Sequence, residues 1–167
     1  MNRLFSLLGL LIAVAIVLVS CVARDDPARA LAAVQFLCTE EAARPEGALY
    51  SYAFPMDGVL PLSEEMQAAL FGDGIRPVAL DEATVGVSYL AYSAPFEITL
   101  FCAKSADGAK KLAKMLLHRR DALLRYWQDS TDLEAPPSAT VTTYGRWVLL
   151  AVTGDAEATA KRLRRAL

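Results

Sequence analysis

Residues 84–103, TVGVSYLAYSAPFEITLFCA, contain the pattern that decides the fold. Apolar residues alternate with small or polar ones over residues 84–92 and again over residues 96–103. The intervening Ser93-Ala94-Pro95 consists of residues that favour turns. Period-two alternation is typical of a strand with one buried face, so this stretch predicts a β-hairpin.

The order of two strands and then a helix occurs twice. Ser105 precedes an amphipathic helical pattern that runs to about Gln128. After a linker with two prolines, residues 139–152 predict a second hairpin turned at Tyr144-Gly145, and Asp155 caps a last helix. Neither hairpin can bury its apolar face alone. The sequence therefore predicts an α+β fold: tandem ββα units that form one four-stranded antiparallel sheet with two helices on one face.

The chain before this unit is predicted to be less regular. Asp25-Asp26-Pro27 is a typical helix start, and a helix is predicted over residues 28–43. Residues 47–61 hold glycines, prolines and aromatics, and predict irregular chain with at most one short strand. A short helix, capped by Ser63, is predicted to end near Phe71.

The amino-terminal residues have the composition of an export signal. Arg3 precedes an apolar run over residues 4–19, which ends at Leu18-Val19-Ser20-Cys21. These four residues resemble the lipobox of bacterial lipoproteins. The resemblance implies attachment of lipid to the Cys21 thiol, cleavage after Ser20, and anchoring by acyl chains such as palmitate. The alternative is an uncleaved signal anchor with an incidental cysteine.

The predicted organisation follows from this signal. Residues 1–20 are a lipoprotein signal peptide, residues 21–62 hold the anchor site, a helix and an irregular aromatic segment, and residues 63–167 form the α+β domain. The expected location is the extracytoplasmic side of the cell membrane.

Several features of the last hundred or so residues occur together. They are a short helix ending Leu70-Phe71-Gly72, a hairpin ending Glu97-Ile98-Thr99-Leu100-Phe101, a long basic helix, a Pro-bearing linker, and a strand over residues 145–152 followed by Asp155. In these features residues 63–167 resemble a family of bacterial lipoproteins catalogued as domain of unknown function 4358. The resemblance implies the architecture and the lipid anchor. It implies no catalytic residues, because the family's activity is uncharacterised.

Composition restricts the classes of partner. The formal net charge is −2 and 54% of the residues are hydrophobic, which excludes nucleic acid as the expected partner. Basic residues are concentrated after Phe101, either as a surface for anions or as ordinary solvated helix faces. The predicted partners are the membrane, through the anchor, and an envelope protein, a glycan or an anionic ligand.

No motif for catalysis or metal binding stands out. The single histidine, His118, falls on the solvent face of the long helix, and one ligand cannot make a zinc site. HExxH, CxxC, GxSxG and phosphate-binding glycine loops are absent from the sequence. We therefore predict no cofactor and no metal. The favoured hypothesis is a non-enzymatic binding or interaction module, and the alternative is a small envelope-associated hydrolase with dispersed catalytic residues.

Two cysteines lie beyond Cys21. Cys102 alternates with Ile98 and Leu100, so its side chain is predicted to point inward. Small disulfide-stabilised proteins are much richer in cysteine. Buried free thiols at Cys38 and Cys102 are the favoured interpretation, and a disulfide between them is the alternative.

The aromatic residues suggest a binding surface. They are concentrated in the irregular segment and the first hairpin: Tyr50, Tyr52, Phe54, Tyr89, Tyr92 and Phe96. Alternation places Tyr92 on the sheet face opposite Val85 and Val87. If helices cover one face only, the open face would bind a partner or glycan, with Tyr89 and Tyr92 as candidate binding residues. The alternative is that the N-terminal segment packs there and buries them.

Arg120 is the remaining candidate. At 100° per residue it falls between Leu116 and Leu123 in the apolar stripe of the long helix. It either binds an anion at the floor of a pocket or pairs with an acid such as Asp132 or Glu134 in the linker. Because an unpaired buried guanidinium is costly, we predict a carboxylate or several backbone carbonyls within hydrogen-bonding distance of it.

Overall fold

The computed structural model describes residues 27–41, 44–128 and 137–167. The predicted signal peptide, Cys21 and the linker acids Asp132 and Glu134 lie outside the described residues. The helices are α1 (Pro27–Thr39), α2 (Glu64–Phe71), α3 (Ala106–Gln128) and α4 (Ala156–Ala166), with a 3-10 helix at Val78–Glu82. The strands are β1 (Gly47–Tyr52), β2 (Leu60–Pro61), β3 (Ala83–Ala91), β4 (Glu97–Ala103), β5 (Ser138–Tyr144) and β6 (Trp147–Thr153).

The predicted α+β class is confirmed, but the sheet is larger than expected. Its strand order is β2-β1-β3-β4-β6-β5, with β1 and β2 parallel and the other neighbours antiparallel. The two predicted hairpins form its centre and one edge. The segment expected to be irregular supplies the other two strands, since β1 pairs with β3 from Gly47–Ala91 to Tyr52–Gly86. Strands on both sides of the boundary predicted at residue 63 therefore belong to one sheet.

The prediction that both helices cover one face is wrong. α1 and α4 pack on one face of the sheet, while α2, α3 and the 3-10 helix pack on the other. The physical reason is that β4 and β6 are buried at every position, so both of their faces need cover. The uninterrupted apolar run over residues 147–152 was the sequence signal for this arrangement.

Three predicted helix caps are confirmed. The side-chain oxygens of Ser63, Ser105 and Asp155 each accept a hydrogen bond from the backbone N–H three residues later, at 3.2, 3.0 and 3.0 Å. In the described ranges, none of these helices has both the length and the apolar character to cross a bilayer.

Cys38 and Cys102 are buried and are not joined by a disulfide, as the favoured interpretation expected. Burial raises the pKa of Cys38 to about 12, and the neighbouring Arg44 only partly opposes this effect. The thiolate is the reactive form of cysteine, so Cys38 is chemically protected while the protein is folded.

We expect Cys38 to resist alkylation in the folded protein across pH 7 to 9, and to react fully in denaturant. The unfolded thiol ionises near its ordinary pKa of about 8.5. Because the folded pKa is higher, this group stabilises the fold below that pH and its contribution falls as the pH rises further. Iodoacetamide labelling followed by mass spectrometry measures the reaction. Rapid modification of native Cys38 at pH 8 would contradict the assignment.

Candidate functional site

A groove of about 1130 Å³ opens at the turn between β3 and β4. Residues 90–97 form one wall, and the C-terminal half of α3 forms most of the other. Three aromatic side chains stand around it, Tyr92 from the turn and Tyr126 and Trp127 from α3. We call this site the aromatic groove.

The length of α3 explains why its last turns reach the groove. A helix of 23 residues is about 35 Å long, whereas a seven-residue strand spans about 23 Å. The helix therefore extends beyond the ends of the strands, and Tyr126 and Trp127 lie on the part that extends. Their rings meet edge to face with centroids 5.2 Å apart, and Tyr126 is 74% exposed. Exposed rings in a concave site are available to contact a ligand.

A buried ion pair forms the floor of the groove. Glu97, the first residue of β4, has a side chain only 3% exposed. Arg119 of α3 donates to its Oε2 through Nε and Nη2, at 3.1 and 2.9 Å. The pairing offsets the large cost of removing the carboxylate from water.

Two hydroxyls extend this polar floor beneath α3. Thr99 Oγ1 donates to Glu97 Oε1 at 2.9 Å and also lies 2.9 Å from Ser88 Oγ. Because a hydroxyl has one proton, Thr99 can donate to the carboxylate while it accepts from Ser88. Glu97 thus receives three hydrogen bonds, and its charge is balanced by Arg119.

Arg119 keeps hydrogen-bonding capacity on the groove side. A guanidinium has five N–H donors, and Glu97 uses two of them. Within the described ranges no acceptor engages the other three, and the Arg119 side chain is 16% exposed where it lines the groove. The floor therefore offers N–H donors of Arg119 to a ligand in the groove, while the charges of Arg119 and Glu97 nearly cancel.

The structure confirms the predicted carboxylate at Arg120, and the described partner is Asp121. Arg120 donates to Asp121 Oδ1 through Nε and Nη2, at 2.9 and 2.7 Å. The two linker acids named as candidates lie outside the described residues. Arg120 is not among the residues lining the groove; that position belongs to its neighbour Arg119.

Sequence reasoning missed Arg119, although a signal for it existed. Alternation along β4 places Glu97 and Thr99 on the same face as Phe101, which is fully buried. An acid on an inward face needs a cation from whatever packs above it. The long helix that follows was the obvious source of that cation.

The two tyrosines predicted to bind together lie on different sides of the sheet. Tyr89 is 5% exposed and belongs to the core beneath α1. Its hydroxyl donates to the backbone oxygen of Pro45 at 2.6 Å, and the Arg44 guanidinium lies 5.2 Å from its ring centroid. Tyr92 is 66% exposed and lines the groove. The N-terminal segment therefore does bury Tyr89, but it packs on the face of Val85 and Val87 and not on the opposite face, where the alternative placed it.

The other sheet face is not open either. Ser88 lies on this face, opposite Val85 and Val87, but it is only 2% exposed because α3 packs there. His118 lies on the outer face of α3, with Nε2 2.9 Å from an Asp73 oxygen. In the described part of the chain, no group of three or more His, Cys, Asp or Glu side chains could hold a metal ion.

Comparison with known proteins adds no relative. No protein-family model matches the chain, and no curated protein or solved structure matches it significantly. The interpretation of the aromatic groove therefore rests on its own geometry.

Proposed function

We propose that the chain is a lipid-anchored extracytoplasmic binding module that holds a neutral, hydroxyl- or amide-bearing ligand, such as a glycan segment, in the aromatic groove. One observation carries the proposal. The rings of Tyr92, Tyr126 and Trp127 surround N–H donors of Arg119 whose charge is balanced by Glu97.

A sugar ring matches both the aromatic rings and the N–H donors of the groove. Its C–H face is apolar and can lie against an aromatic ring, while its rim carries hydroxyl or acetamido oxygens that accept hydrogen bonds. Sites for small ligands combine apolar walls with a few directed polar groups in this way. The partly exposed rings of the groove would also lose contact with water on binding, which favours the complex.

The ion pair disfavours an anionic ligand. An anion beside Arg119 would also lie within a few ångströms of the Glu97 carboxylate, which is 2.9 Å from the guanidinium. Two unit charges 4 Å apart near a protein surface interact by about 4 kcal/mol, so attraction to one group and repulsion by the other largely cancel. Neutral acceptors avoid this conflict.

In the hydrolase alternative, the catalytic groups would be the hydrogen-bonded side chains of Ser88, Thr99 and Glu97. Ser88 and Thr99 are almost completely buried, and the carboxylate already accepts three hydrogen bonds. A general base must be free to take a proton from the reacting group. These features give binding more support than catalysis.

The lipid anchor is supported by the sequence at Cys21. Leu18-Val19-Ser20-Cys21 ends the apolar run, and charged residues follow at once. The resemblance of residues 63–167 to the lipoprotein family of unknown function supports the same proposal.

We expect Tyr126→Ala to weaken binding of neutral oligosaccharides by about tenfold. The substitution removes a largely exposed ring that lines the groove, and an aromatic side chain that contacts a ligand commonly contributes about 1.4 kcal/mol, which is tenfold in affinity. The binding can be measured by calorimetry on the full chain in detergent, with glucan and N-acetylated oligosaccharides as probes. Acidic oligosaccharides of equal length should bind more weakly than neutral ones.

Tyr144→Ala is the matched control. Tyr144 is also an exposed tyrosine, but it lies at the β5–β6 turn, away from the groove. Its replacement should leave the affinity unchanged. Equal effects of the two substitutions, or the absence of binding by every neutral probe, would refute the proposed ligand class.

A further inference from the structure

The domain has two ends, separated by the length of its strands. The aromatic groove lies at the end where β3 turns into β4 and β6 finishes. The opposite end, which we call the far end, holds the β5–β6 turn at residues 144–146 and the last turn of α4. Strands of seven residues separate the two ends by about 23 Å.

The C-terminus of α1 is fixed at the groove end. Glu41, just beyond the helix, accepts hydrogen bonds from Thr159 and, at 3.1 Å, from Arg162. Thr159 belongs to the first turns of α4, and its hydroxyl lies 3.2 Å from that of Thr153 at the end of β6. These contacts place residue 41 beside the end of the sheet that carries the groove.

The N-terminus of α1 consequently lies at the far end. The helix packs along β3, β4 and α4, and its buried residues extend from Ala30 to Cys38. Thirteen residues make a helix about 20 Å long, nearly the length of the strands beneath it. Pro27 therefore lies near the last turn of α4 and the β5–β6 turn.

The proposed anchor then limits how far the far end can be from the membrane. Pro27 lies six positions after Cys21, and a chain extends at most about 3.6 Å per position, or roughly 20 Å here. A lipidated Cys21 at the bilayer surface thus keeps Pro27, and with it the far end, within roughly 20 Å of the headgroups.

The far end has the charge that an anionic surface would attract. Its cations are Arg29, which is partly exposed, and Arg164 and Arg165, which are both exposed. The exposed ring of Tyr144 lies under Arg164, with the guanidinium 5.7 Å from the ring centroid.

The acids near this end do not cancel that charge. Glu82 is paired with Lys111 and Asp107 with Lys110, at 2.5 and 2.8 Å. The connecting segment contributes Asp25 and Asp26, opposed in part by Arg24, so the end as a whole keeps a positive balance.

We infer that the far end docks on the bilayer, with its arginines on anionic lipid headgroups, and that the aromatic groove points away from the membrane. This inference rests on the proposed lipid anchor. The anchor supplies the hydrophobic attachment and the arginines supply the orientation. Each arginine should favour the docked orientation by roughly fivefold over an undocked one.

Two matched substitutions test the orientation. Tyr144→Cys and Tyr126→Cys replace exposed tyrosines at opposite ends. Cys38 and Cys102 are buried and the Cys21 thiol carries the proposed lipid, so the new thiol is the one that reacts. Each full-length variant is labelled with a polarity-sensitive fluorophore and reconstituted into vesicles of phosphatidylcholine with phosphatidylglycerol. The label at position 144 should report an apolar environment, and the label at position 126 should not.

The charge dependence is tested in the same vesicles. The response at position 144 should decrease in pure phosphatidylcholine and in the Arg164→Gln/Arg165→Gln variant. In that variant the ratio of docked to undocked orientations should fall by roughly 25-fold, fivefold for each arginine. Flotation with the vesicles without any response at position 144, or with a response at position 126 instead, overturns the docking inference alone. Failure to float with the vesicles overturns the anchor as well.

Discussion

Replacement of Arg119 by Met is expected to lower the free energy of unfolding by about 3–5 kcal/mol. The substitution keeps an apolar stem of similar length but removes the cation that balances Glu97. That carboxylate is 3% exposed and cannot regain its hydration without opening the contact between β4 and α3. Among the described residues, the Thr99 hydroxyl would be the one remaining hydrogen-bond donor to it.

Arg120→Met provides the control, because it changes the same residue type one position along the same helix. Arg120 pairs with Asp121, whose side chain is 49% exposed, so its loss should cost less than about 1 kcal/mol. Urea unfolding followed by tryptophan fluorescence measures both variants. The double variant Arg119→Met/Glu97→Gln should regain part of the loss, since no unpaired buried charge remains. Equal effects of the two single substitutions would show that the buried pair does not stabilise the fold.

Replacement of Cys21 by Ala is expected to abolish incorporation of an alkyne-tagged palmitate into the protein. The thiol is the proposed acceptor of the lipid, and each buried CH₂ of an acyl chain contributes about 0.8 kcal/mol to membrane attachment. The variant should therefore either leave the membrane fraction or remain as the unprocessed precursor. Metabolic labelling and fractionation of cells that express the full chain measure both results.

Cys38→Ala is the matched control for the lipid. Cys38 is a buried residue of α1, so its replacement should leave the label in place. Mass spectrometry of the amino-terminal peptide gives an independent measurement. A cleaved chain with an unmodified Cys21 in wild-type cells would refute the anchor and, with it, the docking of the far end.

Arg119 and Arg120 show which features of the site could be predicted from the sequence and which could not. The helical period placed Arg120 in the apolar stripe of α3 and predicted a carboxylate partner for it, which is Asp121. It selected Arg120, because a helical wheel treats the helix as if it faced a uniform surface. The choice between adjacent positions depends on where the opposing acid lies, and Glu97 comes from another element, 22 positions earlier in the chain.

Strand β1 shows a similar limit for the fold. Its residues, GALYSY, lack a clear alternation of apolar and polar side chains, and most are only half buried. They form a strand because the edge of β3 supplies hydrogen-bonding partners along the whole segment. A pairing of this kind cannot be recognised from the segment alone.

The sequence by itself determined the two hairpins, the caps at Ser63, Ser105 and Asp155, and hence the α+β class. These features depend on turn chemistry, side-chain period and hydrogen bonds that close within a few residues. The tertiary structure alone decided that the helices cover opposite faces, that β1 joins the sheet, and that Arg119 meets Glu97 at the floor of the groove. These outcomes depend on contacts between distant segments, whose free energies appear only when the elements have packed together.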